Sequence, residues 1–413
     1  MSEKAGIGGA ASHAPDSPHA WMRLAAAVLT STIGGVGMWS FIVALPAAQT
    51  EFAVDRAAAS LPFTLAMFGF AVGGVLMGWL SDRFGIIMPV IAGAVSLALG
   101  YIGSGYAPTL WLFAAAHILI GFGSSATLGP LMSDMSHWFV QRRGLAVTIC
   151  SSGNYVAGTI WPPVVQHFIA SDGLRATQIG IGIFCVVSMV PIALLMLRAR
   201  APLAHATSAS WTPAGPPAAL GVSPAVLQVL LCVAGVACCV AMAMPQVHLV
   251  AYCSDLGYGP AHGADMLAAM MGFGIISRVM SGVIADRIGG LATLLISSAL
   301  QGLALFLYLL FNGLTSLYVI SALFGLFQGG LIPMYAVVVR EYFSPREVGT
   351  RVGLVLMATL AGMAFGGWVS GWIFDLTGSY RIAFVNGLLW NFLNLAIVAW
   401  LMLRRERLRL AAV

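Results

Sequence analysis

Charge is scarce in this sequence. Acidic and basic residues together make up 8% of 413 residues, whereas a soluble chain carries roughly a quarter. So few charges cannot clothe a water-facing surface, and a soluble globular protein is excluded. The six cysteines (Cys150, Cys185, Cys232, Cys238, Cys239 and Cys253) form no CxxC pair, which removes the usual metal and redox spacings. Nor do His, Asp and Glu cluster as a membrane-embedded enzyme would need, so the chain reads as a non-enzyme with no cofactor and no metal. Its many glycine runs precede no lysine of a phosphate-binding loop. The formal charge of +5 is spread over arginines between apolar runs, which is no nucleic-acid footprint. No signal peptide opens the chain, because the first apolar run is too long for one.

Hydrophobic residues are plentiful, at 60%. Runs such as "LAAAVLTSTIGGVGMWSFIVALP" (24–46) exceed the ~20 residues that cross a bilayer. Twelve such spans are predicted: 22–47, 57–80, 87–107, 110–138, 143–170, 174–198, 224–251, 263–285, 289–311, 314–341, 348–374 and 380–403. The fold class is an all-α membrane protein. Residues 1–20, rich in Gly, Ala, Ser and Pro, read as a disordered tail. Residues 21–198 form one six-helix half, 199–222 a Pro/Ala/Ser-rich linker, and 223–413 a second half with a short basic tail. Fifteen Lys and Arg residues fall on one side of this topology, while Arg56, Arg175 and Arg381 fall on the other. By the positive-inside rule, both termini are then cytoplasmic, and a bacterial inner (plasma) membrane is the expected location.

The halves repeat. "GWLSDRFG" (78–85) lies over "GVIADRIG" (282–289) at a shift of 204, and the same shift sets "WFVQRR" (138–143) on "YFSPRE" (342–347). Phe139 thus pairs with Phe343 and Arg142 with Arg346. Parallel six-helix duplicates are an arrangement found in secondary transporters. GxxxG runs at 69–73, 74–78, 362–366 and 367–371 allow helices to approach closely.

The two loops resemble the G-x-L-x-D-R-x-G signature of the major facilitator superfamily, although Ile86 and Ile87 replace the basic residues that usually follow the first copy. The resemblance implies twelve helices in two pseudo-symmetric halves. It also implies a conformational latch at Asp82 and Arg83, and more weakly at Asp286 and Arg287, with Arg142 in the matching loop after the fourth span. "WFVQRRGLAV" and "SRVMSGVIADRIGG" look like the monocarboxylate and oxalate/formate branch, in which an arginine of the eighth helix binds the substrate carboxylate. Arg278 falls on that position. A central arginine costs ~2.5–3.5 kcal/mol on insertion scales, and its planar fork suits a carboxylate. No acid lies one turn away on the same helix.

Three departures from the branch sharpen the expectation. Gly274 stands where animal monocarboxylate transporters carry an aspartate implicated in proton coupling. That leaves His248, or more weakly His117, as the proton-coupling candidate, since free histidine titrates near a pKa of about 6.5. Each has the alternative of a neutral, hydrogen-bonded residue. Thr359 stands where oxalate/formate exchangers carry a second cation, so one carboxylate is favoured over two. Leu128, Asn154, Gln328 and Ile332 replace the aromatic lining, with Met38 and Trp39 completing the wall. Each of these can equally be packing. Asp134 and Asp255, near helix ends, suit interfacial or gating roles. The expected function is secondary active transport of a small organic anion, most simply a monocarboxylate, by alternating access with proton symport or anion exchange. The alternatives are an exporter of hydrophobic or drug-like compounds and a dicarboxylate/formate-type antiporter. Expected partners are the anion, a co-transported proton and the bilayer; a monomer is expected.

Overall fold

A computed structural model describes residues 16–139, 142–196, 220–344 and 347–411. Among these residues no strand occurs, and eleven helices are long and apolar enough to cross a membrane. They are Pro18–Phe52, Arg56–Phe84, Ile87–Gly105, Leu110–Trp138, Leu145–Leu195, Pro224–Asp255, Pro260–Ile288, Gly290–Leu310, Leu314–Tyr342, Val348–Thr377 and Tyr380–Leu408. The fifth, 51 residues long, would run about 77 Å at 1.5 Å per residue, more than twice the hydrocarbon thickness. It is two helices meeting at Gly173, whose φ of 82° and ψ of 170° lie outside helical space. Counting the fifth and sixth spans separately, the described residues make twelve passes.

Two expected boundaries move. The first helix begins at Pro18, inside the stretch read as a disordered tail, because Ser17 caps it by accepting the Ala20 amide and proline occupies the first turn. The basic C-terminal stretch is not a separate tail but continues the last helix to Ala411. Residues 1–15 and most of the 199–222 linker lie outside the described residues. The linker's end is fastened by Arg404, which donates to the carbonyls of Leu220 and Gly221 at 2.8 Å each.

The described chain forms two compact units. One holds the residues up to Phe41, with Phe68–Trp161 and the stretch from Phe168; the other holds Ile42–Met67, Pro162–His167 and the C-terminal half. Thus the second part of the first span and the first part of the second span belong to the unit of the later helices.

The 204-residue repeat is present in the backbone. Gly85 and Gly289 close the two D-R-x-G loops with φ of 82° and 87°, a region that favours glycine. Each amide donates to the residue four back, Ser81 and Ala285, at 2.8 Å. Phe139 and Phe343 both end their helices in extended conformation. The fourth span breaks between Ser125 and Gly129, and the tenth between Gln328 and Leu331, within two residues of the 204-residue shift.

Within the C-terminal unit, the eighth and tenth spans touch backbone to backbone. A Cβ on Gly325 would collide with the Met270 carbonyl, and one on Gly329 would lie 2.8 Å from the Gly274 Cα. In the N-terminal unit, Arg23 is 1% exposed yet charged. Its Nε and Nη2 donate to the two Asp134 oxygens at 2.9 and 3.1 Å, and its guanidinium lies 4.7 Å over the Trp138 ring.

Two stability predictions follow from these contacts. Gly325→Ala should cost ~1–3 kcal/mol through overpacking, whereas Gly282→Ala, with nothing within 4 Å of its added Cβ, should leave the melting temperature in detergent unchanged. Asp134→Ala should cost ~3–5 kcal/mol by stranding the buried Arg23. The Arg23→Met/Asp134→Leu double variant should recover most of that loss. Equal melting of the single and double variants would show that the pair is not a unit.

Candidate functional site

In the C-terminal unit, Arg278 lies ten residues before the end of the eighth span, about 15 Å along the helix. The face of this span bearing Gly274, Ser277 and Ser281 is buried. Ser277 Oγ accepts the Gly330 amide at 3.1 Å, so the residue next to Arg278 caps the second piece of the broken tenth span. Gly274, the position where an acid was missing, is buried against Gly329. Arg278 itself is partly exposed.

Gln328 and Ile332 flank the same break. Gln328 is 1% exposed; its Oε1 accepts from Gln246 Nε2 of the seventh span at 3.0 Å, while its own Nε2 is buried without a hydrogen-bond partner. A buried donor left unused costs about 1–3 kcal/mol. The break thus brings Arg278 and Gln328 onto neighbouring stretches of two packed helices. Thr359 sits elsewhere than expected of a lining residue. It is 2% exposed, its hydroxyl donates back to Leu356 O at 2.7 Å, and its methyl would meet a Cβ on Gly235 at 3.1 Å. It fills a contact between the seventh and eleventh spans.

In the N-terminal unit, Trp39 and Asn154 are brought together: the indole N–H reaches the Asn154 carbonyl at 3.0 Å and its Oδ1 at 3.2 Å. Leu128, partly exposed, stands at the break of the fourth span. His117 lies buried against the rings of Phe41 and Phe113. Its Nδ1 donates to Phe113 O at 2.8 Å, since a carbonyl can only accept, and its Nε2 has no hydrogen-bond partner. A second proton on this ring would find no acceptor, and the packing argues against His117 as a proton carrier.

His248 is fully buried, with both ring nitrogens engaged. Nε2 faces the Gly367 carbonyl at 2.7 Å and Nδ1 the Tyr380 hydroxyl at 2.9 Å. Tyr380 Oη also accepts from Arg56 Nη1 at 2.6 Å. The carbonyl fixes the proton on Nε2, so Nδ1 accepts and the tyrosine donates. As a substrate contact His248 is therefore misplaced in this state: no part of it reaches open space.

Sequence reading missed the centre of this arrangement. Arg56 donates to both oxygens of Asp255 at 3.0 and 3.1 Å and to Gln49 Oε1 at 2.6 Å, with Phe374 stacked 4.5 Å below. Asp375 in turn accepts the Arg56 and Ala57 amides at 2.8 and 2.7 Å, capping the second span from the eleventh. Five spans meet here. Only their mixture of an arginine at one helix start with aspartates at two helix ends hinted at it. Asp134 and Asp255, expected at interfaces, are each held by an arginine.

The expected latch is not formed in this structure. Among the described residues no ion pair includes Asp82, Asp286 or Arg287, and Arg83 lies over the rings of Trp79 and Phe84 at 5.5 and 5.6 Å. Arg142 is exposed; its backbone amide reaches Asp16 at 3.4 Å. Nor do three or more His, Cys, Asp or Glu side chains gather for a metal among the described residues.

Comparison with known proteins places the chain. The model of the Major Facilitator Superfamily matches residues 27–320 and again 229–412. Monocarboxylate transporter 13 of Rattus norvegicus is 28% identical over 386 residues, covering 90% of this chain and 86% of that one. Monocarboxylate transporter 11 of Homo sapiens is 27% identical, covering 90% and 80%. The agnestins efflux protein of Paecilomyces divaricatus is 22% identical, covering 82% and 77%. Among solved structures, the nucleoside transporter NupG superposes with a TM-score of 0.72 at 14% identity, covering 93% of this chain and 99% of that one. An inward-facing, occupied bacterial homologue of the human lysosomal transporter Spinster gives 0.69 at 14%, covering 96% and 97%. These curated relatives are mammalian and fungal and lend no support to a bacterial inner membrane. Helices, repeat and matches agree: the chain is a multi-pass integral membrane protein, not an enzyme, and it belongs to the Major Facilitator Superfamily.

Proposed function

We propose that this protein is a secondary carrier of small monocarboxylates that works by alternating access with proton symport. The observation that carries the reading is a permanent cation, Arg278, inside an apolar span and beside the capped break of the tenth. Gln328 supplies a second donor there, aimed by Gln246. Arginine and amide N–H groups are what a carboxylate needs when it sheds water. One cation suits one carboxylate: Thr359, where exchangers bear a lysine, is an uncharged packing residue. A dicarboxylate would bring a second charge into low dielectric without a partner.

Ile332 adds apolar surface beside Gln328, and in the other unit Leu128, Asn154 and Trp39 offer the same mixture of apolar wall and amide. A cargo with a short apolar or hydroxylated tail fits this chemistry. The kinship with monocarboxylate transporters 13 and 11 points the same way. His248 is the proton carrier of this reading, taken up when its spans separate. The fungal efflux relative favours a second reading, export of larger apolar compounds, in which Arg278 would be dispensable.

Pyruvate uptake into proteoliposomes separates the two. Arg278→Ala should lower it at least tenfold, the factor to which about 1.4 kcal/mol corresponds. Arg278→Lys should retain part of the activity as a point charge without the fork. Wild-type uptake that is unchanged in Arg278→Ala would sink the carboxylate reading.

A further inference from the structure

From the chain of contacts around Tyr380, we infer that Tyr380 is a positioning residue whose hydroxyl ties the proton state of His248 to the Arg56 lock. The inference rests on the reading of His248 as the proton carrier and goes beyond it by saying what the proton moves.

The chain runs in one direction. Asp255 takes two bonds from Arg56, Arg56 gives a third to Tyr380 Oη, Tyr380 gives its proton to His248 Nδ1, and His248 Nε2 gives to Gly367 O. The guanidinium can only donate and the carbonyl can only accept. With both ends fixed, a neutral His248 and a donating Tyr380 satisfy every group. A proton on Nδ1 turns that atom into a donor. Tyr380 Oη would then receive from Arg56 and from His248 together, its own hydrogen displaced from the acceptor it has now.

His248 meets the Tyr380 hydroxyl and ring of the twelfth span and the Gly367 carbonyl of the eleventh. Around those partners stand Arg56 of the second span on the Tyr380 hydroxyl, Tyr252 on the Tyr380 ring, and Asp255 and Asp375 on Arg56. Both carboxylates are already committed, Asp255 to the guanidinium and Asp375 to the amides of Arg56 and Ala57. Neither is placed to receive the new proton, so the strain falls on the Tyr380–Arg56 contact. That contact helps hold residues 49–57, from the first and second spans, against the ends of the seventh, eleventh and twelfth. The structure thus assigns to protonation of His248 the loosening of this end of the C-terminal unit.

Hydrogen–deuterium exchange of the purified full chain tests this without any substrate. The peptides containing residues 49–60 and 371–382 should exchange fivefold or more faster at pH 4 than at pH 7.5, after correction for the intrinsic pH dependence. In His248→Gln, neutral at both values, that difference should fall below twofold. Tyr380→Phe keeps the ring against Phe374 and Tyr252 but lacks the hydroxyl; it should exchange fast at both pH values. Equal exchange at the two pH values in the wild type would overturn the inference. So would a pH difference that survives in either variant, which keeps the test decisive if one of them fails to fold. A lock indifferent to pH, with pyruvate uptake still dependent on Arg278 and His248, would reject the relay and leave the carrier reading intact. Uptake indifferent to Arg278 would reject the carrier reading, whatever the exchange shows.

Discussion

A cation in hydrocarbon must bring its own solvent. Three arginines inside this fold meet that demand in different ways, and much of the architecture follows from how. Arg23 is closed off by Asp134 and an indole. Arg56 is surrounded by a carboxylate, an amide, a phenol and a ring drawn from four other spans. Arg278 stays partly exposed beside a broken helix. The first two are each locked bidentately to a carboxylate and act as rivets, although Arg23 Nη1 is left without a hydrogen-bond partner. The third is the residue on which the carboxylate-carrier proposal rests.

Small residues make these arrangements reachable. Gly325 and Gly329 let the tenth span press its backbone on the eighth, and Gly362 and Gly366 do the same for the eleventh on the seventh. In lipid, where apolar side chains gain little by meeting one another, such close packing and the few interhelical hydrogen bonds carry association. Ser277, Gln246 and Tyr380 are therefore more than ornaments on apolar rods: each ties two spans at a chosen height.

Much of this was legible in the sequence, and the limits have physical causes. Span number followed from run length, because backbone groups in lipid must be satisfied within each helix. The break between the fifth and sixth spans fell where Gly173 allows it. The repeat was legible because its glycines answer to a backbone angle. What could not be read were pairings across the fold. Arg23 and Asp134 are 111 residues apart, and Arg56 and Asp255 are 199; no helical period connects them. Arg278 stood out because its span was otherwise apolar, whereas Arg56 was hidden at a helix start, where an arginine raises no question. Thr359 was misjudged because alignment by motif fixes height along a helix and leaves its neighbours open. Ser17 shows the reverse, a cap visible in the letters and masked by the tail-like composition around it.

The duplicated loop amounts to a mutational experiment the chain has performed on itself. Between the copies, Trp79 stands against Val283, Leu80 against Ile284, Ser81 against Ala285 and Phe84 against Ile288, while Asp, Arg and Gly stayed. The glycine is explained, since both copies hold it at positive φ. Of the charged letters, Arg83 lies over the Trp79 and Phe84 rings. The D-R pair thus recurs in both halves without an ion pair for Asp82, Asp286 or Arg287 among the described residues.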